Sequence, residues 1–248
     1  MIRKYTLGQV RIHALLLADL MIFIEQCIAK NRSGYICFMN TRTAYLANSD
    51  KEYCRIQNNS LLTLPDGMPL VWIAKRKGYH QTEKISGKDF MDSIFSVSAK
   101  NGYSHYFYGS TDETITKIKQ KLKDSYPGIA IAGAVSPPFQ HIDDFDLDDL
   151  AADVNKVRPT FFWCGLGAPK QEILISRLQE KLDFTLCAGV GLAFEYFGGT
   201  IKRAPSWMRN TGLEWLYRLS QQPRNIPRAI RPFLWVIKQY MVSARKHE

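Results

Sequence analysis

The chain has 248 residues, 46% of them apolar and 23% charged, which excludes a disordered chain and allows a sizeable core. Its 33 Lys and Arg outnumber 23 Asp and Glu, for a net charge of +10. No apolar run reaches the ~20 residues of a membrane-spanning helix. The longest candidate, residues 14–24, is interrupted by Asp19 and lacks the basic start and cleavage site of a signal peptide.

In chain order, helical spacing predicts helices over 13–31, 41–57, 67–77, 88–100, 112–124, 144–156 and 169–181. Short apolar runs between them predict strands at Tyr35–Met39, Leu61–Leu64, Tyr103–Tyr108, Ile129–Ala134, Thr160–Cys164 and Thr185–Val190. The runs are continuous rather than alternating, as expected of strands buried on both faces. The reading is an α/β fold: a Rossmann-like, mostly parallel sheet flanked by helices. After residue 198 the strands stop, and helices are expected at 205–221 and 226–244. We divide the chain into an α/β catalytic core, 1–198, and a basic helical C-terminal appendage, 199–248.

That appendage carries ten Lys and Arg against two Glu, so +8 of the +10 lies there. Such a tail points to an anionic partner. Phe233, Trp235 and Tyr240 lie among the basic residues, as in an amphipathic helix resting on a bilayer interface. The competing reading makes Trp215, Trp235 and Tyr240 ordinary packing residues.

The five cysteines are odd in number and scattered, with no Cys-x-x-Cys pair. This disfavours zinc and a disulfide framework and fits a reducing cytoplasm. The acidic residues Asp143, Asp144, Asp146, Asp148 and Asp149 lack the pattern of a calcium loop and read as a solvated helix start.

Ligands of parallel α/β sheets bind at the carboxyl ends of strands. Four segments fall there: Leu64-Pro65-Asp66-Gly67, Gly109-Ser110-Thr111, Gly165 to Glu172, and Gly189-Val190-Gly191 running to Glu195. Asp66 is either the cap of the next helix or a general base facing a cleft. The glycine-rich Gly165–Glu172 stretch is either a structural turn or a phosphate-binding helix start. Its spacing matches neither a P-loop nor Gly-x-Gly-x-x-Gly.

Taken together, these segments resemble the WecG/TagA/CpsF family of bacterial glycosyltransferases. Lys202-Arg203-Ala204-Pro205 and Gly212 to Leu219 carry the resemblance further, so that it spans roughly residues 35 to 232. It implies an inverting transferase that moves N-acetylmannosamine or its uronic acid from UDP to polyprenyl-diphosphate-linked N-acetylglucosamine, for teichoic acid or surface polysaccharide. Another hexosyl donor within the same family is the nearest alternative. The resemblance implies no cofactor and no metal, and a site at the inner membrane face. The partners it implies are the UDP-sugar donor, the lipid-linked acceptor and an anionic membrane surface, not nucleic acid, with room for a homo-oligomer.

By the same resemblance the catalytic aspartate is Asp66, and the conserved glutamine is Gln171. Asn40 matches an asparagine after the first core strand. Arg218 and Arg228, with Arg224 close by, match basic residues that close over the diphosphate. Gly109, Gly167 and Glu172 complete the candidate substrate-binding set. Two departures stand out. Phe38 precedes Met39-Asn40 where relatives carry Thr-x-Asn, leaving Thr41 as a displaced hydroxyl, and Glu195 replaces an aspartate.

The residue types fit the chemistry on their own terms. In-line glycosyl transfer needs a base at the acceptor hydroxyl and positive charge at the leaving diphosphate. Asp66 supplies the first; helix-start amides and tail arginines supply the second. Two other readings remain open. A nicotinamide oxidoreductase lacks its Gly-x-Gly-x-x-Gly after the first strand. A nucleic-acid module relying on the basic tail lacks any known motif.

Overall fold

The computed structural model describes residues 2–221 and 226–244; of these, the side chains of 210, 218, 219, 226–228 and 244 lie outside the description. The elements run β1 (Lys4–Leu7), β2 (Val10–His13), α1 (Leu17–Ala29), β3 (Gly34–Met39), α2 (Thr41–Ser49), α3 (Lys51–Asn59), β4 (Leu62–Pro65), α4 (Met68–Arg76), α5 (Gly87–Asn101) and β5 (Ser104–Gly109). They continue through α6 (Asp112–Ser125), β6 (Ala130–Val135), α7 (Leu147–Val157), β7 (Phe161–Gly165), α8 (Lys170–Leu178) and β8 (Leu186–Gly189). Last come α9 (Ala193–Gly198), α10 (Ser206–Asn210), α11 (Glu214–Gln221) and α12 (Ile226–Ala244).

The six expected strands form one sheet in the order β4-β3-β8-β7-β5-β6. The pairs β3–β8, β8–β7, β7–β5 and β5–β6 are parallel, which is the α/β class expected. The hairpin β1–β2 is an addition. Its strands alternate buried and exposed residues, and Gly8 takes φ +61° in the two-residue turn between them. That is the Gly-led turn a hairpin favours.

The single helix expected over 41–57 is two helices. Asp50 ends α2 and caps α3, its carboxylate accepting the Tyr53 amide at 3.0 Å. A short acid that bonds its neighbouring backbone competes with helix continuation. Asp146 likewise caps α7, accepting the amides of Asp148 and Asp149, so the acidic cluster is a helix start.

By contacts the chain groups into two compact units. One comprises Met1–Leu17, Phe38–Ser86 and Lys202–Glu248; the other comprises Ala18–Cys37 and Gly87–Ile201. In the first, Tyr5, Leu7, Val10 and Ile12 of the hairpin join Ala44, Tyr53, Leu70 and Ile73 in one buried cluster. Val236 of α12 belongs to that cluster at 2% exposure. The last helix thus contributes to this core, and cutting the chain after Gly199 removes a buried side chain from it.

The second unit is built on aromatic layers. His105 and Phe107 of β5 and Phe161 and Trp163 of β7 share one face, against Phe90 and Phe95 of α5. Tyr106, Tyr108 and Phe162 take the other face, with Phe145. Both faces are covered, which is why these strands read as continuous apolar runs. His105 is fully buried, and the lack of solvent depresses its pKa to about 3, so it is neutral. Trp163 Nε1–H donates to its Nδ1 at 3.1 Å, which leaves Nε2–H to donate to Ser98 Oγ at 2.9 Å. Ser98 in turn donates to the Ile94 carbonyl. Every polar atom of this buried chain is satisfied.

Candidate active site

In the first unit, β4 delivers Asp66. The Asp66 amide donates to the Met39 carbonyl at 2.7 Å, which ties the ends of β3 and β4 together. The N-cap of α4 is Gly67, with Pro69 in the first turn, so Asp66 stands between the strand end and the cap position rather than at it. Its side chain is partly exposed.

Asn40 has a defined local job. Its Oδ1 accepts the amides of Arg42 and Thr43 at 3.0 and 3.1 Å, and Thr43 Oγ1 accepts the Asn40 amide at 2.9 Å. This capping box fixes the turn from β3 into α2. Thr41 is the first residue of α2 and half-buried.

The segment 82–86 runs beside Asp66, because the Ile85 amide donates to the Pro65 carbonyl at 3.0 Å. It carries Lys84, whose ammonium contacts Glu214 of α11 at 2.6 Å, and Ser86, which accepts from Arg203 Nη2 at 3.0 Å. The segment that pairs with the end of β4 thus carries one cation, Lys84, and binds another, Arg203, neither of them assigned from the sequence. Arg203 lies in a segment that carried the resemblance, but Lys84 sits in a stretch with no motif, and only the fold brings it here.

The three arginines expected over the diphosphate fall differently. Arg218 lies on α11 and Arg228 on α12, with their side chains outside the description, and Arg224 lies outside the described residues.

In the second unit the carboxyl ends of β5, β7 and β8 lie in register. Gly109 pairs with Gly165, and Cys164 with Gly189. Gly109 takes φ +128°, and a Cβ there would come within 2.7 Å of the Gly165 backbone. Only glycine fits this approach. The following residue, Ser110, is itself left-handed at φ +60°. Its hydroxyl donates to Glu195 Oε1 at 2.8 Å, and Thr200 Oγ1 donates to Glu195 Oε2. Glu195 therefore spans from α9 to the strained turn after β5.

Gln171 is 4% exposed, and its carboxamide is committed. Oε1 accepts the Gly167 amide at 3.1 Å, while Nε2 donates to the Gly189 carbonyl at 2.7 Å and to Glu172 Oε1 at 2.8 Å. It clamps the loop after β7 to the end of β8. Glu172 is 1% exposed and lies inside the unit beside that clamp. Gly167 takes φ +81° at the crest of the loop, and α8 starts at Lys170 just beyond it. Backbone amides at such a helix start attract anionic groups.

The sheet carries a carboxylate after β4 in the first unit and glycine-rich, helix-opening turns after β5, β7 and β8 in the second. The chain belongs to the glycosyl transferase WecG/TagA/CpsF family, whose profile matches residues 5–247. It is similar to the N-acetylglucosaminyldiphosphoundecaprenol N-acetyl-beta-D-mannosaminyltransferase of Bacillus subtilis (strain 168), 29% identical over 94% of this chain and 87% of the relative. The enzyme of the same name from Bacillus spizizenii is 27% identical over 88% of this chain and 81% of the relative. That from Staphylococcus aureus (strain MW2) is 26% identical over 78% and 74%.

Proposed function

We propose that this transferase moves N-acetylmannosamine, or its uronic acid, from a UDP-sugar to polyprenyl-diphosphate-linked N-acetylglucosamine, in teichoic-acid or surface-polysaccharide synthesis. The observation that carries this is the similarity over nearly the whole chain to enzymes whose names specify that acceptor and a β-linked product. UDP-sugars are commonly α-linked at the anomeric carbon, so a β product requires inversion by a single in-line displacement.

Asp66 is the base: its carboxylate takes the proton from the acceptor hydroxyl as that oxygen attacks the anomeric carbon and the bond to UDP breaks. The developing charge on the leaving diphosphate is met by positive groups. Candidates are the α8 amides near Gly167, the tail arginines Arg218, Arg224 and Arg228, and the cations Lys84 and Arg203. Asn40, Thr41 and Gly109 shape the turns that face substrate. Gln171 with Glu172, and Glu195 with Ser110, act by holding those turns in place. No metal and no cofactor enters this scheme.

The acceptor is a membrane lipid, so the enzyme works as a peripheral protein on the inner face of the cell membrane. Among the described residues no helix is long and apolar enough to cross a membrane. The rings first expected to face the bilayer are engaged elsewhere: Trp235 packs edge-on to Tyr45, Phe233 lies 4.9 Å from Trp215, and Tyr240 lies under the Arg76 guanidinium. What α12 does expose is Ile230, Leu234, Ile237 and Met241, at 43–63%. Their spacing of four, three and four residues makes one apolar stripe, with Arg231 and Lys238 exposed on the same helix. That combination suits an anionic bilayer surface. Leu234→Ser combined with Met241→Ser is expected to lower binding to phosphatidylglycerol vesicles at least tenfold in a flotation assay, with transfer to a short water-soluble acceptor unchanged. Equal vesicle binding by the double variant would remove the stripe from the account.

A further inference from the structure

Residues 2–18 and 67–82 contain no Asp or Glu, yet they carry Arg3, Lys4, Arg11, Lys75, Arg76 and Lys77. The fold of the first unit brings the two stretches together. Lys77, just past α4, donates from Nζ to the Thr6 carbonyl of β1 at 2.6 Å, and the Arg3 guanidinium stands 4.9 Å from the centre of the Tyr79 ring. Lys4 and Arg11 share the outer face of the hairpin, because Tyr5, Leu7, Val10 and Ile12 point into the core. Burial and the neighbouring Arg11 charge both lower the Lys4 pKa. All of these cations except Lys77 are exposed. Among the described residues no carboxylate forms an ion pair with Arg3, Lys4, Arg11, Lys75 or Arg76. Like charges gathered in this way repel one another, and an external anion relieves the repulsion.

This basic band borders α12 at two places. The Arg76 guanidinium lies 4.6 Å from the centre of the Tyr240 ring, and a Cβ on Gly8, in the hairpin turn, would stand 3.2 Å from Trp235 Cζ2. Trp235 and Tyr240 pack against the core, while Ile230, Leu234, Ile237 and Met241 of the same helix are exposed. An apolar stripe flanked by cations matches the chemistry of a bilayer with anionic headgroups, whose phosphates lie level with an interfacial helix. We propose that the hairpin and the end of α4 form a second membrane contact, which holds lipid phosphates beside α12 and sets how this unit rests on the bilayer. The inference rests on the reading of α12 as bilayer-facing and adds to it a surface outside the C-terminal appendage.

The test is flotation of the full-length chain with vesicles of phosphatidylcholine, with and without phosphatidylglycerol. One variant combines Arg3→Gln, Lys4→Gln and Lys75→Gln, all exposed, and should melt with the wild type. A control combines Lys100→Gln, Lys119→Gln and Lys123→Gln, which removes the same charge from exposed positions on α5 and α6. Each cation at an anionic leaflet strengthens binding by a factor of about five, and salt screens part of this. The first variant should therefore bind phosphatidylglycerol vesicles roughly tenfold more weakly or worse, and the control within about twofold of wild type. Transfer to a short water-soluble acceptor should be unchanged in both. Wild-type binding by the first variant, while Leu234→Ser with Met241→Ser loses it, would overturn the proposal and leave the stripe as the whole contact. Equal losses in the first variant and the control would also overturn it, since net charge alone would then explain binding. A wild type that floats with neither vesicle would instead contradict the bilayer-facing reading of α12, and the band with it.

Discussion

Asp66→Asn is expected to lower the turnover number for glycosyl transfer by about 10²–10⁴, the usual loss when a general base is removed. The carboxamide keeps the shape of the carboxylate and does not accept the proton. The backbone bond from the Asp66 amide to Met39 is independent of the side chain, so the junction of β3 and β4 persists. Thermal stability and UDP affinity should accordingly stay near wild type, and the defect should lie in turnover at saturating donor and acceptor. Steady-state kinetics with a short lipid-linked acceptor measure this. A variant that turns over within threefold of wild type removes the base assignment.

Gln171→Leu is expected to cost about 2–4 kcal/mol of stability, because it strips hydrogen bonds from buried groups without changing side-chain volume much. The Gly189 carbonyl and Glu172 lose their donor, and the Gly167 amide loses its acceptor. The loop after β7 then separates from the end of β8, and UDP affinity should weaken along with stability. Urea denaturation and UDP titration on the same preparations read both. A variant of full stability that has lost only transfer would make Gln171 a direct substrate ligand, as the family resemblance first suggested, rather than a clamp.

The difference between those two residues shows what the sequence made legible. Asp66 was readable because a Pro-Asp-Gly segment after an apolar run puts a carboxylate at a strand end, and that position follows from local order alone. The six strands of the main sheet were readable for a similar reason: burial on both faces leaves continuous apolar runs such as Phe161-Phe162-Trp163-Cys164. The hairpin β1–β2 was missed although its alternation and Gly8 turn are local signals. Other features depend on what the chain meets in space. Gln171 reads as a free polar side chain until its partner Gly189, 18 residues later, is brought to it. Lys84 meets Glu214 across 130 residues. The helical spacing of α12 was visible, but which face would be covered was not. The fold turns Trp235 and Tyr240 inward and leaves Leu234 and Met241 in water.

The most direct measurement of the central claim is product analysis by mass spectrometry. The full-length chain is incubated with UDP-N-acetylmannosamine and a polyprenyl-diphosphate-linked N-acetylglucosamine, in excess EDTA and beside the Asp66→Asn variant. The account predicts that the lipid gains one N-acetylhexosamine, β-linked, with an equal amount of UDP released, that EDTA changes nothing, and that the variant yields almost none. UDP release without any lipid product across a panel of UDP-sugars, or a product that forms only when Mg²⁺ or Mn²⁺ is restored, would contradict it.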